Sequence, residues 1–230
     1  MHLTYNFSNK AFKIALILFA KITVNGGKGV PKSGPIIVVA NHLSIIDPAI
    51  IAQAIPRRIR WLAKNSLFKN FFVGRFLTAY GAHAISRTGP DSRAIRWSIE
   101  ILDNNEIVGV FPEGTRHHNG MHKGLNGCAL LALQTGASIV PVAVTGTQHL
   151  NKLWHLVFPT GKIHVTVGEP FVLGNLNSNP TKSELDNTTL IIMHRIASML
   201  PETYQGIYQK SASESLPQNH DCNILCKPEI

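Results

Sequence analysis

Ile36-Ile37-Val38-Val39-Ala40 runs directly into Asn41-His42-Leu43-Ser44-Ile45-Ile46-Asp47-Pro48. The first five residues form an unbroken, mostly β-branched apolar run. This is the pattern of a strand buried on both faces, as in a parallel sheet covered by helices on each side. Gly26, Gly27, Gly29, Pro31, Gly34 and Pro35 punctuate the loop before it. Residues 107–111 and 139–144 repeat the pattern, although Pro141 cannot donate to a ladder and predicts a bulge or an edge position. Residues 60–63 and 163–167 read as shorter strands. Helical patterns fall between these runs, at 48–55, 70–80, 92–104 and 124–136. Strand and helix therefore alternate, and the chain reads as an α/β fold with a mainly parallel central sheet flanked by helices. Ligands of such sheets gather at the carboxyl ends of the strands. His42 and the turn Phe111-Pro112-Glu113-Gly114-Thr115-Arg116 both fall there.

The 230 residues are 44% hydrophobic, enough for one compact domain with a real core and too apolar for a disordered chain. A formal charge of +9 favours anionic partners: phospholipid headgroups, a phosphorylated substrate or nucleic acid. Between residues 57 and 96 the cations Arg57, Arg58, Arg60, Lys64, Lys69, Arg75, Arg87, Arg93 and Arg96 face a single acid, Asp91, and this stretch reads as an anion-facing surface or as a solvated basic face. No nucleic-acid recognition module accompanies it, and Phe68, Phe71, Phe72 and Phe76 sit at helical core spacing, so nucleic acid is not an expected partner. Cys128, Cys222 and Cys226 offer no disulfide framework, and Cys222-x3-Cys226 lacks the second pair that a zinc site needs. Residues 11–22, AFKIALILFAKI, form an apolar stretch flanked by Lys10, Lys13 and Lys21, too short to cross a bilayer and without a signal-peptide cleavage pattern after it. A helix lying in the membrane interface and a helix packed on the domain are both open readings, the first placing the protein peripherally or monotopically on the cytoplasmic face of the membrane.

In order along residues 36–208 stand Asn41-His42-x4-Asp47, Ala63-Lys64 with Leu67-Phe68, and Gly81 through Arg87. Phe111-Pro112-Glu113-Gly114-Thr115-Arg116, Lys123-Gly124, Ile139-Val140-Pro141-Val142 and Val167-Gly168-Glu169-Pro170 follow. This series resembles the glycerolipid acyltransferase family, whose bacterial members include lysophosphatidate acyltransferases. The resemblance implies that His42 and Asp47 are catalytic and that Glu113, Gly114, Thr115 and Arg116 bind a glycerol phosphate. Arg87 would join them, with Lys64 and Lys123 as further cations near the pocket. It further implies acyl transfer from acyl-CoA or acyl carrier protein to the sn-2 hydroxyl of 1-acyl-sn-glycerol-3-phosphate, giving phosphatidic acid, with no cofactor. Ala84 and Ser86 depart from the commoner family wording, while Arg87 is retained.

The residues suit that chemistry. An alcohol is a poor nucleophile, so a thioester-to-alcohol transfer needs a base titrating near neutrality, which histidine supplies. A carboxylate on the other ring nitrogen fixes the tautomer and stabilises the imidazolium, the part Asp47 would play for His42. Five residues along a regular helix separate two side chains by about 140°, so the pair meets only if the backbone turns between them. The competing reading makes Asp47 the N-cap of a helix opening at Pro48, or the partner of Ser44 in a variant capping box. Gly-x-Ser-x-Gly is missing, so direct attack without an acyl-enzyme is the simplest route. Arg87 and Arg116 can grip a phosphate bidentately. Gly114 and Pro112 shape a tight turn around Glu113, whose plain alternative is a surface pair with Arg116. His117, His118 and His122 lack a metal-ligand pattern, and no metal is expected.

Thr181-x-x-Glu184 has the form of a capping box opening a helix that stops before Pro201. The expected organisation is an N-terminal membrane-associating helix and loop at 1–30, the acyltransferase domain at 31–210 and a disordered polar tail at 211–230. Two alternatives stand beside the leading function: an O-acyltransferase with another acceptor (glycerol-3-phosphate, a lysophospholipid or an aminolipid), and a non-catalytic module that binds anionic lipid.

Overall fold

The computed structural model describes residues 2–86, 91–174, 177–209 and 226–227. Helix α1 (His2–Phe19) leads into strand β1 (Ala20–Gly26), followed by β2 (Ile36–Ala40), α2 (Asp47–Ala54) and β3 (Ile59–Lys64). After a 3-10 turn come α3 (Phe71–Tyr80), β4 (His83–Ile85), α4 (Ser92–Asp103), β5 (Ile107–Val110), α5 (Gly127–Thr135) and β6 (Ser138–Thr145). A second 3-10 turn (Leu153–Leu156) precedes β7 (Gly161–Val167), β8 (Val172–Leu173), α6 (Lys182–Ala197) and α7 (Glu202–Gln205). Seven strands make one sheet in the order β1-β7-β6-β2-β5-β3-β4, parallel throughout except between β6 and β7.

The unbroken apolar run of β2 is explained by the two cores it feeds. Ile36, Val38 and Ala40 face a core closed by Phe12 and Leu16 of α1 and Ile50 and Ile51 of α2. Ile37 and Val39 face the opposite core, with Leu102 of α4, Leu131 of α5 and Ile192 and Ile196 of α6. Alternate side chains leave opposite faces of a strand, so a strand between two helical layers must be apolar at every position. All five β2 residues are fully buried, each large one contributing on the order of 2 kcal/mol. The Thr181–Glu184 capping box forms with both reciprocal bonds and opens α6.

Several expectations are corrected. Pro141 is in a central strand, between β2 and β7, so the edge is wrong and the bulge fits: three steps from Ile139 to Val142 face four from Val167 to Phe171. It falls between the Ile139–Phe171 bridge and the Val142–Val167 pair, and its carbonyl accepts from Gly168 at 2.8 Å. Its missing N–H thus lies where the β7 ladder has already ended. The N-terminal helix begins earlier and ends at Phe19, and Ala20–Gly26 forms an edge strand parallel to β7, from Ala20 opposite Gly161 to Gly26 opposite Val167. Ile22-Thr23-Val24 are β-branched, and pairing with β7 satisfies their backbone groups. Residues 20–26 therefore belong to the sheet that carries the domain. The polar tail at 211–230 lies outside the described residues, apart from a short strand β9 (Cys226–Lys227) antiparallel to β8.

Helix α1 packs one side on the domain and leaves the other exposed. Tyr5, Phe12, Ala15 and Leu16 are buried in the core, while Leu3, Phe7, Ile17 and Leu18 on its other side are 67–86% exposed. No described helix is long and apolar enough to cross a membrane. The phenylalanines expected at core spacing on α3 also face outward, with Phe71 at 71% and Phe72 at 81% exposure. That helix packs against the 3-10 turn through Gly74, whose missing Cβ lets Phe68 approach, and it buries Tyr80.

Candidate active site

Strands β2, β5 and β6 are parallel neighbours, so the loops leaving their carboxyl ends converge. Those loops carry His42, Glu113 and Thr147. Asn41, the first residue past β2, closes a two-point clamp on β6: its side-chain amide donates to Val144 O at 2.9 Å and its oxygen accepts from Val144 N at 2.8 Å. This fixes where the chain leaves the sheet and therefore where His42 begins.

His42 Nδ1 lies 2.9 Å from Asp47 Oδ2. The predicted turn between them is present: the chain bends through residues 45–46 and α2 starts at Asp47, with Pro48 in its first turn. Asp47 does not cap this helix, whose N-cap position is Ile46 without a side-chain bond. Its Oδ2 instead reaches back to accept from Leu43 N at 2.7 Å and Ser44 N at 2.6 Å. The Ser44 reading is half right, since Asp47 bonds the Ser44 backbone while the Ser44 hydroxyl donates to Leu150 O rather than into a full capping box. Oδ1 accepts from the Thr147 hydroxyl at 2.6 Å. Asp47 is fully buried, and its partners are the His42 ring, two backbone N–H groups and the Thr147 hydroxyl. A carboxylate oxygen facing the ring acts as acceptor, which places the donating N–H on Nδ1 and leaves Nε2 as the free ring nitrogen.

The His42 ring stacks on Phe111, with centroids 3.9 Å apart and planes at 16°, and Phe111 stacks on Trp61 at 5.0 Å and 12°. This aromatic column sets the ring plane. Glu113 is buried and does not pair with Arg116. Its Oε1 accepts from His42 N at 3.1 Å and its Oε2 from His122 N at 2.9 Å. Burial pushes its carboxyl up to about 7, against the two backbone bonds, with the charge of Asp47 adding to the rise. Gly114 makes the tight turn at φ 68°, its N–H donating to Phe111 O at 2.9 Å, and a side chain there would press on Leu125. The two carboxylate oxygens of Glu113 thus tie the His42 loop to the loop that follows β5.

Thr115 and Arg116 are exposed immediately after this turn, and the next residue, His117, donates its N–H to His42 O at 2.9 Å. Arg116 is therefore one residue from a direct backbone bond to the His42 loop. Lys123 is exposed next to His122, and Lys64 is exposed at the carboxyl end of β3 on the same edge of the sheet. Strand β4 also ends on this edge at Ile85, but Arg87 lies outside the described residues.

The basic stretch is divided rather than continuous. Arg57 donates to Pro31 O and Asn105 O, Arg58 to Tyr80 O, and Arg60 forms a bidentate pair with Glu106 at 2.5 and 3.1 Å. These three stand at the opening of β3, at the opposite end of the strand from the site. His117 and His122 stack at 3.7 Å, and among the described residues no group of metal-ligating side chains clusters. The Cys128 thiol is buried and pushed up to about 12, a core group without nucleophilic character. Sequence reasoning missed Thr147 and the clamp made by Asn41. Thr147 could have been sought, since it stands just past the carboxyl end of a buried strand, where ligands of such sheets collect.

A buried His–Asp pair thus stands at the carboxyl edge of the sheet, with a glycine turn beside it. The chain belongs to the acyltransferase family, whose family model matches residues 21–145. It is 29% identical to the 1-acyl-sn-glycerol-3-phosphate acyltransferase of Bacillus subtilis (strain 168), over 85% of this chain and 96% of that protein. It is also 29% identical to the enzyme of that name from Borreliella burgdorferi, over 86% of this chain and 79% of that one. Its fold matches the crystal structure of the 1-acyl-sn-glycerophosphate (LPA) acyltransferase PlsC from Thermotoga maritima. The TM-score is 0.66 at 27% identity, covering 85% of this chain and 79% of the other.

Proposed function

We propose that this protein transfers a fatty acyl group from a thioester donor, acyl-CoA or acyl carrier protein, to the sn-2 hydroxyl of 1-acyl-sn-glycerol-3-phosphate. The product is phosphatidic acid. The observation that carries the proposal is the 2.9 Å contact between His42 Nδ1 and Asp47, within a chain similar over most of its length to enzymes of that name. His42 Nε2 takes the proton of the acceptor hydroxyl as its oxygen attacks the thioester carbonyl. Asp47 holds the imidazolium that forms, and the tetrahedral intermediate collapses with departure of the thiolate, which accepts the proton from His42. No metal or redox group is needed for this balance. The exposed cations Arg116, Lys64 and Lys123, with Arg87, bind the acceptor phosphate.

The acceptor and product are lipids, so the site works at a membrane surface. The exposed apolar face of α1 supports this placement, joined at Phe19 to Phe158 by ring contact at 5.1 Å, with Trp154 beside Phe158 at 6.4 Å. Its lysines, Lys10 and Lys13, suit anionic headgroups on the cytoplasmic leaflet.

Thiol release measured from purified wild-type and His42→Ala proteins in liposomes, with palmitoyl-CoA, oleoyl-CoA or acyl carrier protein donors and a panel of acceptors, tests the proposal. Release that requires lysophosphatidic acid and disappears in His42→Ala is the expected result. Release with another acceptor alone would change the substrate, and activity that survives His42→Ala would sink the mechanism.

A further inference from the structure

Thr147 belongs to none of the family-like blocks, yet its hydroxyl donates to Oδ1 of Asp47 at 2.6 Å, and both residues are fully buried. The contact spans 100 residues of sequence. Strand β6 ends at Thr145, and Gly146 turns the chain at φ 83°, which puts Thr147 over the carboxyl edge beside β2. The segment is locked to the His42 loop a second time by the Ser44 hydroxyl, which donates to Leu150 O, while Leu150 N donates to Thr147 O at 2.8 Å.

We propose that Thr147 is a positioning residue for the His42–Asp47 pair, setting the rotation of the Asp47 carboxylate so that Oδ2 points at Nδ1. Three donors, His42 Nδ1, Leu43 N and Ser44 N, converge on Oδ2. Held by that oxygen alone, the carboxylate is free to swing its plane about it. The Thr147 bond to Oδ1 fixes the second point and hence the plane. Both residues are fully buried, so a valine of the same shape would leave a carboxylate oxygen buried and unmatched. Thr147 touches neither acceptor nor donor and acts only through Asp47. The inference rests on the reading of His42 as the general base.

Wild-type, Thr147→Val, Thr147→Ser and His42→Ala proteins are to be compared by thiol release from oleoyl-CoA with lysophosphatidic acid across the pH range in which histidine titrates, alongside melting curves. Thr147→Val is expected to lower kcat at neutral pH about tenfold, with KM for the acceptor within about twofold. Its acid limb should move to higher pH, because a carboxylate with one donor fewer holds the imidazolium more tightly. Thr147→Ser, which keeps the hydroxyl, should restore both. A folded Thr147→Val with unchanged kcat and an unmoved acid limb overturns the proposal. Should Thr147→Val fail to fold, Thr147→Ala is compared with Thr147→Ser in its place, and equal rates and acid limbs in that pair overturn it. Activity in His42→Ala sinks the reading beneath it, whereas an inactive His42→Ala beside an unaltered Thr147→Val sinks the role of Thr147 alone.

Discussion

The backbone N–H of His42 donates to the Glu113 carboxylate at 3.1 Å, across 71 residues of sequence. The other carboxylate oxygen accepts from His122, and His117 donates to the His42 carbonyl. The backbone of His42 is thus held on both sides by the loop that follows β5. The Phe-Pro-Glu-Gly-Thr-Arg segment builds the site from behind as well as bordering it.

Glu113 gives the fold a pH dependence of known sign. Its folded value, about 7, lies above the ordinary 4.5, with burial as the main cause. Folding therefore favours the protonated form. The stability this contributes is fully present below 4.5 and is lost as pH rises through about 7. Glu113→Gln cannot titrate, so it should gain on the wild type by on the order of 2 kcal/mol between mildly acidic and mildly alkaline pH. Denaturant curves at the two pH values check this, and a gap that does not vary with pH would refute it.

Asp47→Asn should lower kcat by about a thousandfold or more, since an amide cannot serve as an all-acceptor partner for His42 Nδ1, Leu43 N, Ser44 N and the Thr147 hydroxyl. Asp47→Ala should also destabilise the fold by about 3 kcal/mol, because those buried donors lose their acceptor. Steady-state kinetics and urea titration separate the two effects. An Asp47→Asn enzyme within tenfold of wild type would argue against the dyad.

Asn41→Leu removes both bonds to the Val144 backbone in a residue only 2% exposed. The expected cost is about 2–4 kcal/mol, since a central strand is left with an unmatched N–H and C=O. A loss below about half a kcal/mol in urea unfolding would show that the clamp is replaceable.

Leu18→Glu and Phe72→Glu place charge at exposed apolar positions of α1 and α3, where the wild-type side chains are 67% and 81% exposed. Both should weaken binding to phosphatidylglycerol vesicles while leaving the melting temperature nearly unchanged. Leu16→Ala, on the buried side of the same helix, should do the reverse and cost about 2–4 kcal/mol of stability. Vesicle flotation that does not separate the two sets would remove α1 and α3 from the membrane surface.

Much of this was legible in the chain. The unbroken run at Ile36–Ala40 announced a strand between two helical layers, and Thr181 with Glu184 announced the start of α6. The spacing of His42 and Asp47 demanded a turn, and the turn is present. Other features misled for a physical reason. Ile22-Thr23-Val24 follows an apolar helix without a break, and only the β7 edge beside it makes it a strand. Phe71, Phe72 and Phe76 have the spacing of a helix face, but spacing names a face without saying whether it meets core or solvent.

Periodicity and residue type are local, so the sequence alone determined the α/β class, the turn that lets His42 and Asp47 meet, and the glycine turn at Gly114. Partners distant along the chain are assigned only when parallel strands bring their carboxyl ends together. The tertiary structure alone decided that Glu113 holds the His42 backbone, that Thr147 completes the shell of Asp47, and that Arg57, Arg58 and Arg60 lie at the far end of the sheet. A buried carboxylate must find its donors wherever the fold supplies them, and here the fold supplies them from 71 and 100 residues away.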